Sequence, residues 1–592
     1  MSKTSVPRLI GLFLLMKVSC CQIFAQEILD YAPCNEIPAL MQEFTADYGA
    51  LVRFYTPSTG SGGQAAGGRG TSNTGGSPER TGRLLKLYDG YLKRLGALDF
   101  NALPQECKVD YILFKRDLND RLSRAKEEAN AYERVKTWFP FSKRIYSYNK
   151  DRRRGLRPDA AQLAKDWNQA TKEIESLTNK LKATEVLDKE DVDESLLVIN
   201  DLRNAASSVY EFYNGYDPLF TWWVPATYTK LDSSMNNYAR LFRQKTEKGK
   251  EVDKSGIVGN PVGRDELARQ LQFEFIPYSP DELVDIANKE FAWCDAEMLR
   301  ASREMGFGDD WHAALEKVKN TYVEPGEQPE MIYGLYKESI DFLKEHDLIT
   351  VPPLAEEVWG MYMLSPEAQK VSPFFLGGTN IMISYPTNTM DYDDRMMSMR
   401  GNNPHFSRST VHHELIAGHN LQGFMNARHR TYRNFRTPFW TEGWALYWEL
   451  LLWDLNFPKG PEDRIGMLFW HMHRCARIIF SLNYHLGKWT PQQCIDFLVD
   501  RVGFERANAE GEVRRSFIGS YPPLYQLAYL TGGRQFYALH KELVGGGKMT
   551  DKAFHDKVIS LNAMPVEMVR AILTDQKLNK DFKTNWRFYD GK

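Results

Sequence analysis

A mainly helical fold with one small sheet set into it is predicted by two apolar stripes in the N-terminal half and a change of texture near residue 350. Tyr111, Phe114, Leu118, Leu122, Ala125, Ala129 and Tyr132 recur at intervals of three and four, as do Leu163, Trp167, Ala170, Ile174, Leu177 and Leu181. That spacing puts each set on one helix face, where it packs as core. From Ile349-Thr350-Val351-Pro352-Pro353 to residue 404 prolines and glycines are dense, and Ile381, Ile383 and Tyr385 alternate as in a short strand. A strand at Asn380–Tyr385 has either an edge open to an extended peptide or a place inside a sheet. From Thr410 the helical pattern resumes to the end of the chain.

The elements follow in order. Lys3 and Arg8 precede the apolar run Leu9–Met16, and Ile23-Phe24-Ala25 offers a small residue before Gln26. This is the layout of a secretory signal over 1–25, too short for a permanent membrane anchor. Lipidation at Cys20 or Cys21 is disfavoured because Lys17 falls where a lipoprotein signal wants an apolar residue. A helical segment is expected over 26–56 and a flexible Gly/Ser-rich loop over 57–78, with no G-K-[ST] to make it a phosphate cradle. A helical half over 79–345 follows. Within it, Ser279-Pro280-Asp281-Glu282 combines an N-cap serine, a first-turn proline and a capping-box glutamate. Arg152-Arg153-Arg154 reads as a solvated face, and residues 346–592 hold the chemistry.

Composition narrows the partners. With 592 residues, 43% hydrophobic and 26% charged, the chain can build large cores, which excludes a disordered or collagen-like protein. Lys plus Arg (75) nearly balances Asp plus Glu (77), so there is no basic sheath for nucleic acid. Removal of Lys3, Arg8 and Lys17 with the signal takes the formal charge from -2 to -5. No second long apolar segment follows, which predicts no stable membrane span and a periplasmic or extracellular protein. Cys34, Cys107, Cys294, Cys475 and Cys494 remain, scattered and odd in number. One disulfide is compatible with export, but cysteine chemistry is not indicated. Nothing in the sequence specifies oligomeric state.

The residues that carry chemistry are Val411-His412-His413-Glu414-Leu415-Ile416-Ala417-Gly418-His419. Zinc peptidases commonly place two histidines four apart on one helix face, with a glutamate beside the first. Here the second histidine comes six residues after His413, a turn of about 600° that would point it away in a regular helix. His412 and His419 share a face but lie roughly 10 Å apart along the axis, too far for one ion. A shared metal therefore requires a break within Leu415–Gly418, least costly at Gly418. Downstream, Thr437-Pro438 starts a helix that carries Glu442 in its first turns, a suitable third ligand. The same local pattern also suits a histidine-rich buried helix without metal.

These residues resemble the bacterial family labelled domain of unknown function 885, whose signature reads HE-A-x-P-G-H-H-L-Q and then E-G-W-A-L-Y. His413-Glu414, Gly418-His419, Leu421-Gln422 and Glu442-Gly443-Trp444-Ala445-Leu446-Tyr447 match it. Arg474-Cys475-Ala476-Arg477 resembles the family's R-A-x-R, and His485-Leu486-Gly487-Lys488-Trp489-Thr490 its H-x-x-G-W-[ST], one residue shorter. Glu512-Val513-Arg514-Arg515, Pro523 and Tyr529-Leu530-Thr531-Gly532 follow its E-x-x-R…P-G-Q-A-x-x-Y-x-x-G order. The departures are Ala417 for proline, Asn420 for the second histidine, and Pro523-Leu524-Tyr525-Gln526 for P-G-Q-A. The family is grouped with the gluzincin metallopeptidases. The resemblance therefore implies a zincin-like helical metallopeptidase fold, with a small sheet beside the active-site helix and a large helical N-terminal half.

It also implies a mechanism. Zn2+ would be held by His413, His419 and Glu442, with Glu414 as general base on its water. His485, Tyr521, Tyr525 and Tyr529 are candidate donors to the oxyanion, His485 and Tyr529 on matched motifs. Arg477, Arg514, Arg515 and Arg534 could hold a terminal carboxylate, each with an ordinary salt bridge as the alternative, and Tyr525 marks the altered substrate loop. His471 and His473 receive no role. The expected activity is peptidase action on short peptides. The alternatives are a binding protein that keeps the fold without hydrolysis, or a zinc hydrolase of another amide or ester.

Overall fold

Helix-start chemistry is realised where the sequence places it. Ser279 Oγ accepts from Glu282 N–H at 3.3 Å and Glu282 accepts from Ser279 N–H at 2.8 Å, opening the helix Pro280–Glu304. The two apolar stripes lie on the helices Gln105–Val135 and Ala160–Ala183, with Leu118, Leu163 and Trp167 fully buried. The computed structural model describes residues 35–56, 77–245, 253–369, 372, 374–519 and 521–589. The expected signal segment 1–25 lies outside them, and the segment expected over 26–56 contains the helix Glu36–Tyr55. Of the Gly/Ser-rich stretch only Ser77 and Pro78 are described, and they belong to a helix. Ser77 caps Pro78–Gly96 by accepting from Arg80 N–H, so the loop expected to run to 78 ends sooner. The cause is a serine followed by proline, an N-cap signal that composition hides.

The protein is mainly helical with one two-stranded sheet among the described residues. β1 (Gly360–Met363) pairs in parallel with β2 (Asn380–Ile383), Gly360 opposite Asn380 and Met363 opposite Ile383. The predicted strand is thus shorter than 380–385, and Tyr385 beyond it donates its hydroxyl to Val323 O. On the other side of β2, Met382 exchanges both backbone hydrogen bonds with Leu376, at 2.7 and 3.0 Å. Of the two readings of this strand, the internal one describes it. Among the described residues no helix is long and apolar enough to cross a membrane.

The cores cross the division drawn at 345/346. The helices from Ser142 to Gln244 enclose a core of their own, centred on Trp167, Leu202 and Phe242. By contrast, Phe44, Tyr88 and Phe114 share a core with Trp440, Trp444 and Phe554. Phe291 and Met298 pack with Leu468, Phe480 and Leu527. A buried ion pair fixes the first union: Arg433 Nε lies 2.7 Å from Asp110 Oδ1, the two side chains 0% and 1% exposed. Cys107 is disulfide-bonded, Cys294, Cys475 and Cys494 are free and buried, and Cys34 lies outside the described residues.

Two helices of the C-terminal half meet backbone to backbone. Pro438–Asp454 and Tyr525–His540 cross at Gly443 and Gly532. A Cβ on Gly443 would lie 2.7 Å from Gly532 Cα, and one on Gly532 would lie 2.3 Å from Phe439 O. Only hydrogen side chains permit that approach.

Candidate metal centre

The break required by the six-residue spacing is present. Asn403 caps the helix Pro404–Glu414 through the N–H groups of His405 and Phe406, and the helix stops at Glu414. Leu415 leaves helical geometry at φ -102°, ψ -118°, and a new helix, His419–Asn426, begins after Gly418. Gly418 N–H bonds His412 O at 3.0 Å, and a Cβ at 418 would lie 1.8 Å from His413 O. No other residue fits. Trp444 Nε1 donates to Ala417 O at 2.8 Å and holds the break against the next helix. The rings of His413 and His419 thereby come within 4.8 Å of each other. His412 points elsewhere, its ring edge-on to Phe457, and burial lowers its pKa to about 4.

The helix Pro438–Asp454, capped by Thr437, supplies the carboxylate. Glu442 Oε2 lies 3.2 Å from His419 Nε2 and 3.5 Å from His413 Nε2. Its Oε1 accepts the Tyr525 hydroxyl. One ligand atom from each of His413, His419 and Glu442 falls within 4.8 Å of the others. Behind this set, His413 Nδ1 is 2.7 Å from Glu449 Oε1, which also accepts from Arg474 at 3.1 Å. Burial works to raise the Glu449 carboxyl, but Arg474 and His413 outweigh it and hold it at about 2. An ionised Glu449 takes the Nδ1–H of His413 and leaves Nε2 facing Glu442. Two imidazole nitrogens converging on one carboxylate, one of them oriented from behind by a second carboxylate, form a donor set that fits zinc.

Glu414 stands at the edge of the same cavity, half-buried, and burial raises its carboxyl despite the opposing pull of His419 and His413. The loop Leu376-Gly377-Gly378 passes over it. A Cβ on Gly377 would lie 2.3 Å from Glu414 Oε2. Asn420, where the family signature has histidine, anchors that loop by donating to Gly378 O and Thr379 O, both at 3.0 Å.

The cavity holds about 580 Å³ and brings together most of the predicted site: His413, Glu414, His419, Glu442, Arg477, Arg515, Tyr525 and Tyr529. Tyr529 stacks on His413 at 6.0 Å between ring centres, and Arg477 lies 4.2 Å over the Tyr529 ring. His485 is not brought in. It packs against Tyr484 and Phe517, and burial lowers its pKa to about 4. Arg534 pairs with Glu290, which also binds His471, and Arg514 is exposed. A larger cavity of about 820 Å³, between Gln105–Val135, Gly263–Phe273 and Lys580–Thr584, contains none of the residues predicted to bind metal or substrate. Sequence reasoning missed Glu449, Arg436 on the cavity rim and the Gly377 loop. Glu449 had a signal: seven residues after Glu442, it shares that residue's helix face.

Fold and site together define a mainly helical protein with a largely buried two-histidine, one-carboxylate cluster at a helix break. The chain belongs to the family described as "Bacterial protein of unknown function (DUF885)", whose pattern matches residues 64–573. No curated protein matches it. Among solved structures it is similar to a candidate lipoprotein of unknown function from Shewanella oneidensis, at 15% identity and TM-score 0.58 over 91% of this chain and 100% of that one. A candidate lipoprotein from Colwellia psychrerythraea gives 15% identity and TM-score 0.54 over 91% and 99%. At this identity the likeness is one of fold.

Proposed function

We propose that the protein is an exported zinc-dependent peptidase of gluzincin type acting on short peptides, with a zincin-like catalytic half. The observation that carries this reading is the convergence of His413, His419 and Glu442 beside Glu414 on the wall of an open cavity. A zinc ion held by these three would supply Lewis acidity, making water acidic enough to yield a proton near neutral pH and polarising a carbonyl. Glu414 accepts that proton and returns it to the leaving amine, a task suited to a carboxyl raised by its surroundings. Tyr529, whose hydroxyl burial and Glu442 keep protonated, donates to the developing oxyanion in place of the remote His485. Export to the periplasm or beyond accords with the N-terminal signal layout and with the lipoprotein description given to the similar structures.

Metal analysis of the purified protein, with peptide cleavage before and after Glu414→Gln, tests the reading. One zinc per chain and Glu414-dependent cleavage are expected. Absence of zinc, or cleavage indifferent to Glu414, sinks it.

A further inference from the structure

The cavity wall beyond Tyr529 is cationic in an unusual way. Arg477 Nε and Arg515 Nη2 reach the same carboxylate, Glu512, at 2.7 and 2.6 Å. Two guanidinium groups thus share one negative charge, leaving a net positive charge in a buried wall. Arg477 is 3% exposed, yet among the described residues its Nη1 has no hydrogen-bond partner, and neither has Arg515 Nε. A buried guanidinium nitrogen without an acceptor is costly, and such groups in native proteins call for an explanation. A third cation, Arg436, stands exposed on the rim of the same cavity. Arg477 lies against the Tyr529 ring, which itself stacks on His413, so an anion on Arg477 sits a short reach from the metal ligands. Successive Cα atoms are about 3.8 Å apart, so that reach is one or two residues of peptide.

We infer that Arg477 and Arg515 form a subsite for the terminal carboxylate of a short peptide whose scissile bond lies one or two residues upstream. The inference rests on the peptidase reading and deepens it: the protein releases residues from free C-termini. Guanidinium suits the task because its planar donors match a carboxylate and never lose their charge.

The test is calorimetric and needs no turnover. Three peptides of one sequence are titrated into zinc-loaded Glu414→Gln protein: the free acid, the C-terminal amide, and an amide ending in aspartate. The free acid is expected to bind about tenfold tighter than either amide, as a charge-assisted pair should over a neutral one. Arg515→Met should abolish the preference and Arg515→Lys should keep part of it, with melting temperatures checking that both fold. An acid preference under about threefold overturns the inference, as does one unchanged in folded Arg515→Met. An aspartate amide that binds as well as the free acid also overturns it, in favour of side-chain recognition. Wild-type protein that cleaves acid and amide alike would keep the peptidase reading and lose this subsite. The reading itself falls only on the zinc and Glu414 measurements.

Discussion

His413 Nδ1 lies 2.7 Å from Glu449 Oε1, and the same oxygen accepts a hydrogen bond from Arg474 at 3.1 Å. The imidazole is thereby oriented from behind by a carboxylate that is itself held in place. Glu449→Gln keeps an acceptor for Nδ1–H but removes the charge. Zinc affinity should fall about 10–100-fold, read by competition with a chromophoric chelator, while the fold is retained.

Gly418→Ala should abolish the site. A methyl group there would lie 1.8 Å from His413 O and 2.5 Å from His412 O, so the helix break must reorganise. The expected result is loss of zinc together with a lowered melting temperature. Gly82→Ala is the control: it lies inside the helix Pro78–Gly96 with nothing within 4 Å of its Cβ position. It should gain about 0.5–1 kcal/mol.

Glu567 predicts a pH dependence away from the site. Its side chain is buried, and burial raises its pKa from 4.5 to about 7 against weaker pulls from the neighbouring Thr584 hydroxyl and Arg570. The folded state therefore disfavours the charged form. Stability from this group is complete below pH 4.5, declines as pH rises to about 7, and stays lower above that. Glu567→Gln should remove that slope and raise stability at pH 8 by up to about 3 kcal/mol, measured by urea unfolding across pH.

The Arg433–Asp110 pair tests whether the N-terminal helices fold as one with the half that carries the site. Arg433→Met leaves Asp110 buried with, among the described residues, only Tyr432 as a side-chain partner. It should cost roughly 3–5 kcal/mol in urea unfolding. Arg433→Met with Asp110→Asn should cost less than the two single changes together. Additivity would mean that the pair is not coupled.

Local chemistry was legible in the sequence where it depended on a few neighbouring residues. The break at Leu415–Gly418 followed from helix geometry once His413 and His419 were required to share one metal, and the Ser279 cap from four letters. What required distant partners was not legible. No periodicity reveals that Phe114 packs with Trp444, because both stripes read simply as apolar. His485 shows the limit of motif matching. It lies eight residues after Arg477, about 12 Å along the helix axis, so membership of a neighbouring motif did not put it in the cavity. Glu449 was within reach of a helical-wheel argument extended one heptad beyond Glu442.

The contact of Gly443 with Gly532 has a consequence for how the site tolerates change. One helix carries Glu442 and the other Tyr525 and Tyr529, and the two main chains touch directly. The separation between Glu442 and the tyrosines is therefore gauged by peptide against peptide, not by the volume of any packed side chain. Substitutions that swell or shrink the surrounding core can drift without resetting that gauge, whereas a single methyl group at either glycine would.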